Sequence, residues 1–157
     1  MTIDWVNIIL KASLGILIAT FTSFLTVRLA IHRFHEEKWW EKKQEIYSCL
    51  LDTLHHLKNY AAEHYEGQMN PAYINNEKRE ELTKDWKKLS QEFAQLMDLA
   101  SFHLSDEAVA ILDRYEKKEA EAHKSGDIFA WIEGDIAAVS WCLEDIKKAA
   151  KRDLKVK

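Results

Sequence analysis

The sequence predicts an all-α protein, with one N-terminal transmembrane helix continuing into a cytoplasmic four-helix bundle. Three observations predict it. A long apolar stretch, IILKASLGILIATFTSFLTVRLAI, fills residues 8–31, and the rest of the chain is polar and charged. Beyond the stretch, apolar residues recur at alternating steps of three and four, the period of one helix face. The 157 residues include only four glycines and one proline, and 31% are charged with Ala, Glu, Lys and Leu abundant. That is the balance of a helical chain rather than a turn-rich β fold. The expected division is a membrane anchor over residues 1–34 and a helical domain over residues 35–157.

The anchor is read from length and flanks. Ala12–Val27 carries no charge and measures about 24 Å as a helix, somewhat less than the roughly 30 Å of a hydrocarbon core. Lys11 and Arg28 bracket it. Their long stems reach the headgroups while the charges stay wet, so Ile8–Ile31 spans. A cleavable signal peptide needs a basic leader and a small-residue cleavage site. The first ten residues carry Asp4 and no Lys or Arg, and the apolar run passes straight into Arg28, His32 and Arg33. A buried core helix is the other rival, but four further helices in a chain of this size cannot surround it. On the N-terminal flank the only basic residue is Lys11, whereas Arg28, Arg33, Lys38, Lys42 and Lys43 lie on the C-terminal side of the span. The positive-inside rule therefore predicts a bacterial inner-membrane protein with its N-terminus outside and its helical domain in the cytoplasm. Trp5, Lys11, Arg28, Arg33, Trp39 and Trp40 are the expected interfacial anchors. Trp39 and Trp40 lie about 12 Å past Ile31 on a continuing helix, a distance that suits packing in the domain equally well.

No Gly or Pro separates the span from the next helical stripe, so the two are expected to run together. That stripe is Trp40, Lys43, Tyr47, Leu50, Leu54, Leu57 and Ala61, ending near Gly67 and Pro71. Asn75 or Asn76 then caps a helix with Glu77, Glu80 and Glu81 in its first turns, favourable against the helix dipole. Its stripe is Leu82, Trp86, Leu89, Phe93, Leu96 and Ala100. Ser105 before Asp106 and Glu107 is the next N-cap, and Val109, Leu112 and Tyr115 continue that helix. Gly126 suits the C-cap. The last helix runs from about Ile128 to Leu154 through Ile132, Ile136, Val139, Leu143, Ile146 and Ala150. Gly134 costs it about 1 kcal/mol relative to Ala and reads as a kink. Cys49 and Cys142 read as reduced, buried small hydrophobes.

Motifs for chemistry are absent. There is no GxxxxGK[ST], GxGxxG, GxSxG, HExxH or CxxC. Seven histidines invite a metal centre, yet no Glu stands three residues before any His, the spacing of di-iron bundles. Cys49 and His56 share a face with His64 nearby, but His55, His56 and His64 read as partly exposed residues beside a core stripe. No cofactor, no metal and no catalytic residue is therefore expected, and the chain is read as a non-enzyme. A net charge of −4 gives no reason to expect general nucleic-acid binding. Helical ribonucleases of the HEPN superfamily carry an Arg and a His separated by four to six residues. Arg28 and His35 fit formally, but they stand at the membrane exit. As basic and interfacial residues, Arg28, Arg33, His32 and His35 serve the anchor. The segment RFHEEKWWEKKQEIY reads as a solvated helix laced with charge pairs and weakly drawn to anionic lipid.

Within the span, Ala12, Gly15, Ala19, Thr22 and Thr26 step along one face, and Gly15, Ala19 and Ser23 form two overlapping small-xxx-small units. Small residues let helices approach closely and hydroxyls bond across the interface. A homo-oligomer in contact with membrane lipid is the expectation, with the alternative that Thr and Ser line a narrow pore with a positively charged Arg28 ring at its cytoplasmic mouth.

The layout, with EKWWEKKQEIYSCLLDTLHHLK directly after the span, resembles small bacterial single-pass membrane proteins with a helical cytoplasmic domain. It is similar in architecture to membrane accessory and effector proteins of CRISPR and other antiviral systems. That resemblance implies an effector or pore-forming component in phage defence, triggered by a soluble protein or small ligand. Other readings are a passive scaffold recruiting a soluble partner and a tethered HEPN-like nuclease.

Overall fold

A computed structural model describes residues 5–70 and 75–156, with backbone alone for residues 5–13 and Ser125. Every described element is helical: α1 Trp5–Met69, α2 Asn76–His103, α3 Asp106–Ala122, a single 3-10 turn His123–Ser125, and α4 Ile128–Asp153. The first two expected helices are thus one continuous element, and the class is all-α.

Two compact units divide the chain, Met1–Glu41 and Lys42–Lys157. In the first, residues 14–41 are exposed throughout. Its surface carries Ile16, Leu17, Ile18, Phe21, Phe24, Val27, Leu29 and Ile31. This is a helix long and apolar enough to cross a membrane.

In the second unit one core joins all four helices. Tyr47, Leu50, Leu54 and Leu57 of α1 meet Phe93 and Ala100 of α2, Leu112 and Tyr115 of α3, and Val139, Leu143 and Ile146 of α4. Each fully buried Leu or Ile here contributes about 1.5–3 kcal/mol relative to exposure. The caps lie where the sequence places them. Asn75 accepts from the Lys78 backbone N–H at 2.8 Å and Ser105 from that of Ala108 at 3.3 Å. Gly126 adopts φ +70°, the left-handed conformation that reverses the chain, and Asp127 then caps α4 by accepting from the Phe129 N–H.

Three expectations are corrected. Cys142 is buried but Cys49 is exposed, because it stands beside Leu50 rather than on the stripe. The buried face of α3 is Ala108, Ile111, Leu112 and Tyr115, with Val109 at its edge, so the stripe is wider than read. Gly134 lies within an unbroken α4 and serves close packing: a Cβ there would meet the Ala122 Cβ at 2.6 Å.

Candidate functional site

The end of the domain where α3 turns into α4 holds the most chemistry. A cavity of about 150 Å³ opens there. Its apolar wall is Leu57, Ala61, Ile132 and Val139, its aromatic wall Tyr60, Trp86, Tyr115 and Trp131, and its polar groups His64, Glu119 and Asp135. Tyr60 and Trp86 stack with ring centroids 5.1 Å apart, and His64 meets Trp131 edge-on at 6.0 Å. α2 supplies Trp86 from its apolar stripe, and α1 supplies Tyr60 from the position beside Ala61 at the edge of its own. The polar groups come from helix edges where the stripes end.

Glu119, His123 and Asp135 converge at this corner, with one donor atom from each lying within 4.8 Å of the others. Glu119 and His123 are four apart on α3 and its terminal turn, hence on one face. Asp135 arrives from α4 because the glycine beside it, Gly134, lets Ala122 come against the helix. The His123 Nε2 lies 3.3 Å from Asp135 Oδ2. The Asp135 side chain is 19% exposed and that of His123 40%. The His123 and Trp131 rings meet edge-on at 4.7 Å. The other carboxylate oxygen, Oδ1, and the Trp131 indole Nε1 are both buried without a regular hydrogen bond. The indole still faces the carboxylate closely enough to stabilise its charge.

Burial holds the Asp135 carboxyl above the ordinary carboxylate range, against the pull of His123, Trp131 and His64. Burial likewise raises Glu119, and the neighbouring Asp135 raises it further while His123 opposes. His64 is pushed down by burial, with Asp135 working the other way. Two carboxyl groups and two imidazoles at a half-buried corner can exchange protons or share a cation.

The sequence-predicted residues lie elsewhere. Trp5, Lys11 and Ala12 belong to α1, but their side chains lie outside the described residues. Gly15, Ala19, Thr22, Ser23, Thr26, Arg28, Arg33, Trp39 and Trp40 are all exposed on α1. Nothing lies within 4 Å of a Cβ placed on Gly15. Thr22 donates to the Ile18 carbonyl at 2.8 Å and Thr26 to that of Thr22 at 2.9 Å. Those hydroxyl protons are satisfied within their own helix. Arg28 and His35 flank a shallow groove with Ile31, His32, Glu36 and Trp39. Further along α1, Lys38 pairs with Glu41 at 2.6 Å and Lys42 with Glu45 at 2.8 Å. Both are i, i+3 pairs, and His32 Nδ1 stands 3.6 Å from the Glu36 carboxylate four residues on.

Sequence reasoning passed over Glu119, His123 and Asp135. The available signal was Glu-x-x-x-His at 119–123, which places two donors on one helix face as well as Glu-x-x-His does. Compared with family models, curated proteins and solved structures, the chain matches none.

Proposed function

We propose that this chain is a single-pass inner-membrane protein that acts as a homo-oligomeric effector or pore-forming component, controlled through its cytoplasmic helical domain. The observation that carries it is the uncovered apolar surface of α1 over residues 14–31. It far exceeds the isolated patches a soluble monomer exposes, and lipid is the environment that covers such a rod. The five basic residues on the C-terminal flank support a cytoplasmic domain. The faces of Gly15, Ala19 and Ser23 support self-association. α1 enters the bundle as the same helix, which supports transmission of a change in domain packing to the span. The controlling ligand belongs in the cavity beside Glu119 and Asp135. A role in antiviral defence rests on the resemblance of layout.

Membrane fractionation followed by potential-sensitive dye measurements on expressing cells tests this. The expected outcome is an integral membrane protein whose induction depolarises cells when triggered. Depolarisation by the wild type and not by a chain with a poly-Leu span is the supporting result. A protein recovered in the soluble fraction overturns the proposal. A passive scaffold is the second reading, favoured by Thr22 and Thr26 bonding within their own helix. It requires the poly-Leu chain to retain full function. Orientation is tested at Cys49, which is exposed: a membrane-impermeant thiol reagent added to intact spheroplasts should label it only after permeabilisation.

A further inference from the structure

We propose that Glu119, His123 and Asp135 form a divalent transition-metal site, with Zn²⁺ as the fitting ion. One imidazole nitrogen and two carboxylate oxygens are a donor set for a borderline cation. Calcium and magnesium prefer cages of oxygen alone, and the absence of a thiolate from the set disfavours the softest ions.

The geometry is close to what coordination requires. Ligand atoms about 2.0–2.1 Å from a tetrahedral ion stand roughly 3.3–3.4 Å from one another. His123 Nε2 and Asp135 Oδ2 already lie 3.3 Å apart. All three donors fall within 4.8 Å, so Glu119 needs only a small side-chain rotation, open to a group at the end of a flexible chain.

A second observation points the same way. Asp135 Oδ1 is buried without a regular hydrogen bond, although the Trp131 indole faces the carboxylate and stabilises its charge. Placing a second carboxylate beside it at a half-buried corner adds repulsion that a dication removes. The backbone supports the arrangement. Gly134 packs against Ala122, holding Asp135 opposite the end of α3, and Gly126 at φ +70° turns the chain just after His123. Glu119 and Asp135 also line the aromatic cavity, from which a water or a small ligand donor completes the sphere. This inference stands apart from the effector proposal, because the domain binds metal whether or not the spans associate.

The test is equilibrium dialysis of the full chain in detergent, stripped with chelator and exposed to Zn²⁺ alone over a background of excess Mg²⁺. The expected result is one Zn²⁺ per chain. D135N and E119Q, each close in size to the native residue, and H123N should each weaken binding at least tenfold. Co²⁺ in place of Zn²⁺ should give visible d–d bands and quench Trp131, whose ring lies 4.7 Å from that of His123; W131F should remove the quenched component. Circular dichroism establishes that each variant is folded. Should one unfold, the other two decide, and loss of the cobalt bands in a folded variant is sufficient. Wild-type protein that takes up no Zn²⁺ overturns the proposal. Uptake that all three variants retain also overturns it, since the ion then sits on other histidines.

Discussion

Removing one hydroxyl from Tyr47 tests how α1 is held where it enters the domain. The Tyr47 side chain is 2% exposed, and its hydroxyl donates to Asp153 Oδ2 at 2.6 Å. The same oxygen accepts the Ser105 backbone N–H at 3.2 Å. One carboxylate thus joins α1, the N-cap of α3 and the end of α4. Tyr47→Phe keeps the ring and its packing and deletes a single bond to a charged acceptor. Such bonds contribute about 1.5–3 kcal/mol. The pair is partly exposed and Asp153 keeps its bond from Ser105, so the low end, about 1.5 kcal/mol, is expected. For a domain near 100 residues this lowers Tm by about 6–9 °C. Asp153→Ala should cost more, about 2–4 kcal/mol, because it leaves both the buried Tyr47 hydroxyl and the Ser105 N–H without their acceptor. Thermal unfolding of the detergent-solubilised chain, followed by Trp fluorescence, measures each variant and the double variant. The cycle should show coupling of about 1 kcal/mol or more. A Tyr47→Phe chain melting within 1 °C of wild type, or strictly additive variants, would refute the assignment of this bond as a joint between elements.

Gly134→Ala gains about 1 kcal/mol of helix propensity but sets its Cβ 2.6 Å from the Ala122 Cβ. Both atoms are fixed to backbone, so the helices must separate, at about 1–3 kcal/mol of overpacking. Net destabilisation of about 1 kcal/mol is expected, read as a lower urea midpoint with unchanged slope. Thiol alkylation at pH 8 should modify the exposed Cys49 rapidly and leave Cys142 untouched while the domain is folded. Burial pushes the Cys142 thiol up to about 12, so almost no thiolate exists there. Equal labelling of both by mass spectrometry would contradict the packing of α4. Alkaline titration should destabilise the fold. Burial first, and the bond to Asp153 second, raise Tyr47 above its ordinary value. The folded state therefore keeps a proton that the unfolded state releases. That contribution is complete below about pH 10 and declines as pH rises beyond it, so the alkaline loss measured by urea unfolding should be smaller in Tyr47→Phe.

The helices were legible in the sequence because their signals are local. Periodic apolar steps, Asn75, Ser105 and Gly126 each act within one turn, and the structure uses all three cap residues as read. The long apolar helix was legible for the same reason: such a run needs no partner to identify it. What failed was anything fixed by the spacing between helices. Cys49 sits one position from buried Leu50, and a stripe alone does not say how far around the helix the core reaches. Gly134 read as a kink because a glycine inside a helix signals only a missing side chain. That the gap is filled by Ala122 is a tertiary fact. The cluster at the α3–α4 corner depends on that contact. Glu119 and His123 are adjacent by helix geometry alone, but Asp135 is twelve residues past His123 and reaches it only because Gly126 turns the chain and Gly134 admits Ala122. A search for ligand pairs at i, i+3 cannot find such a triad, since its third member comes from the next helix. The two glycines are the part of the sequence that speaks to it. One marks a reversal and the other a close approach, and between them they decide which side chains of α3 and α4 face each other. A larger residue at either position should disperse the cluster while leaving every helix intact.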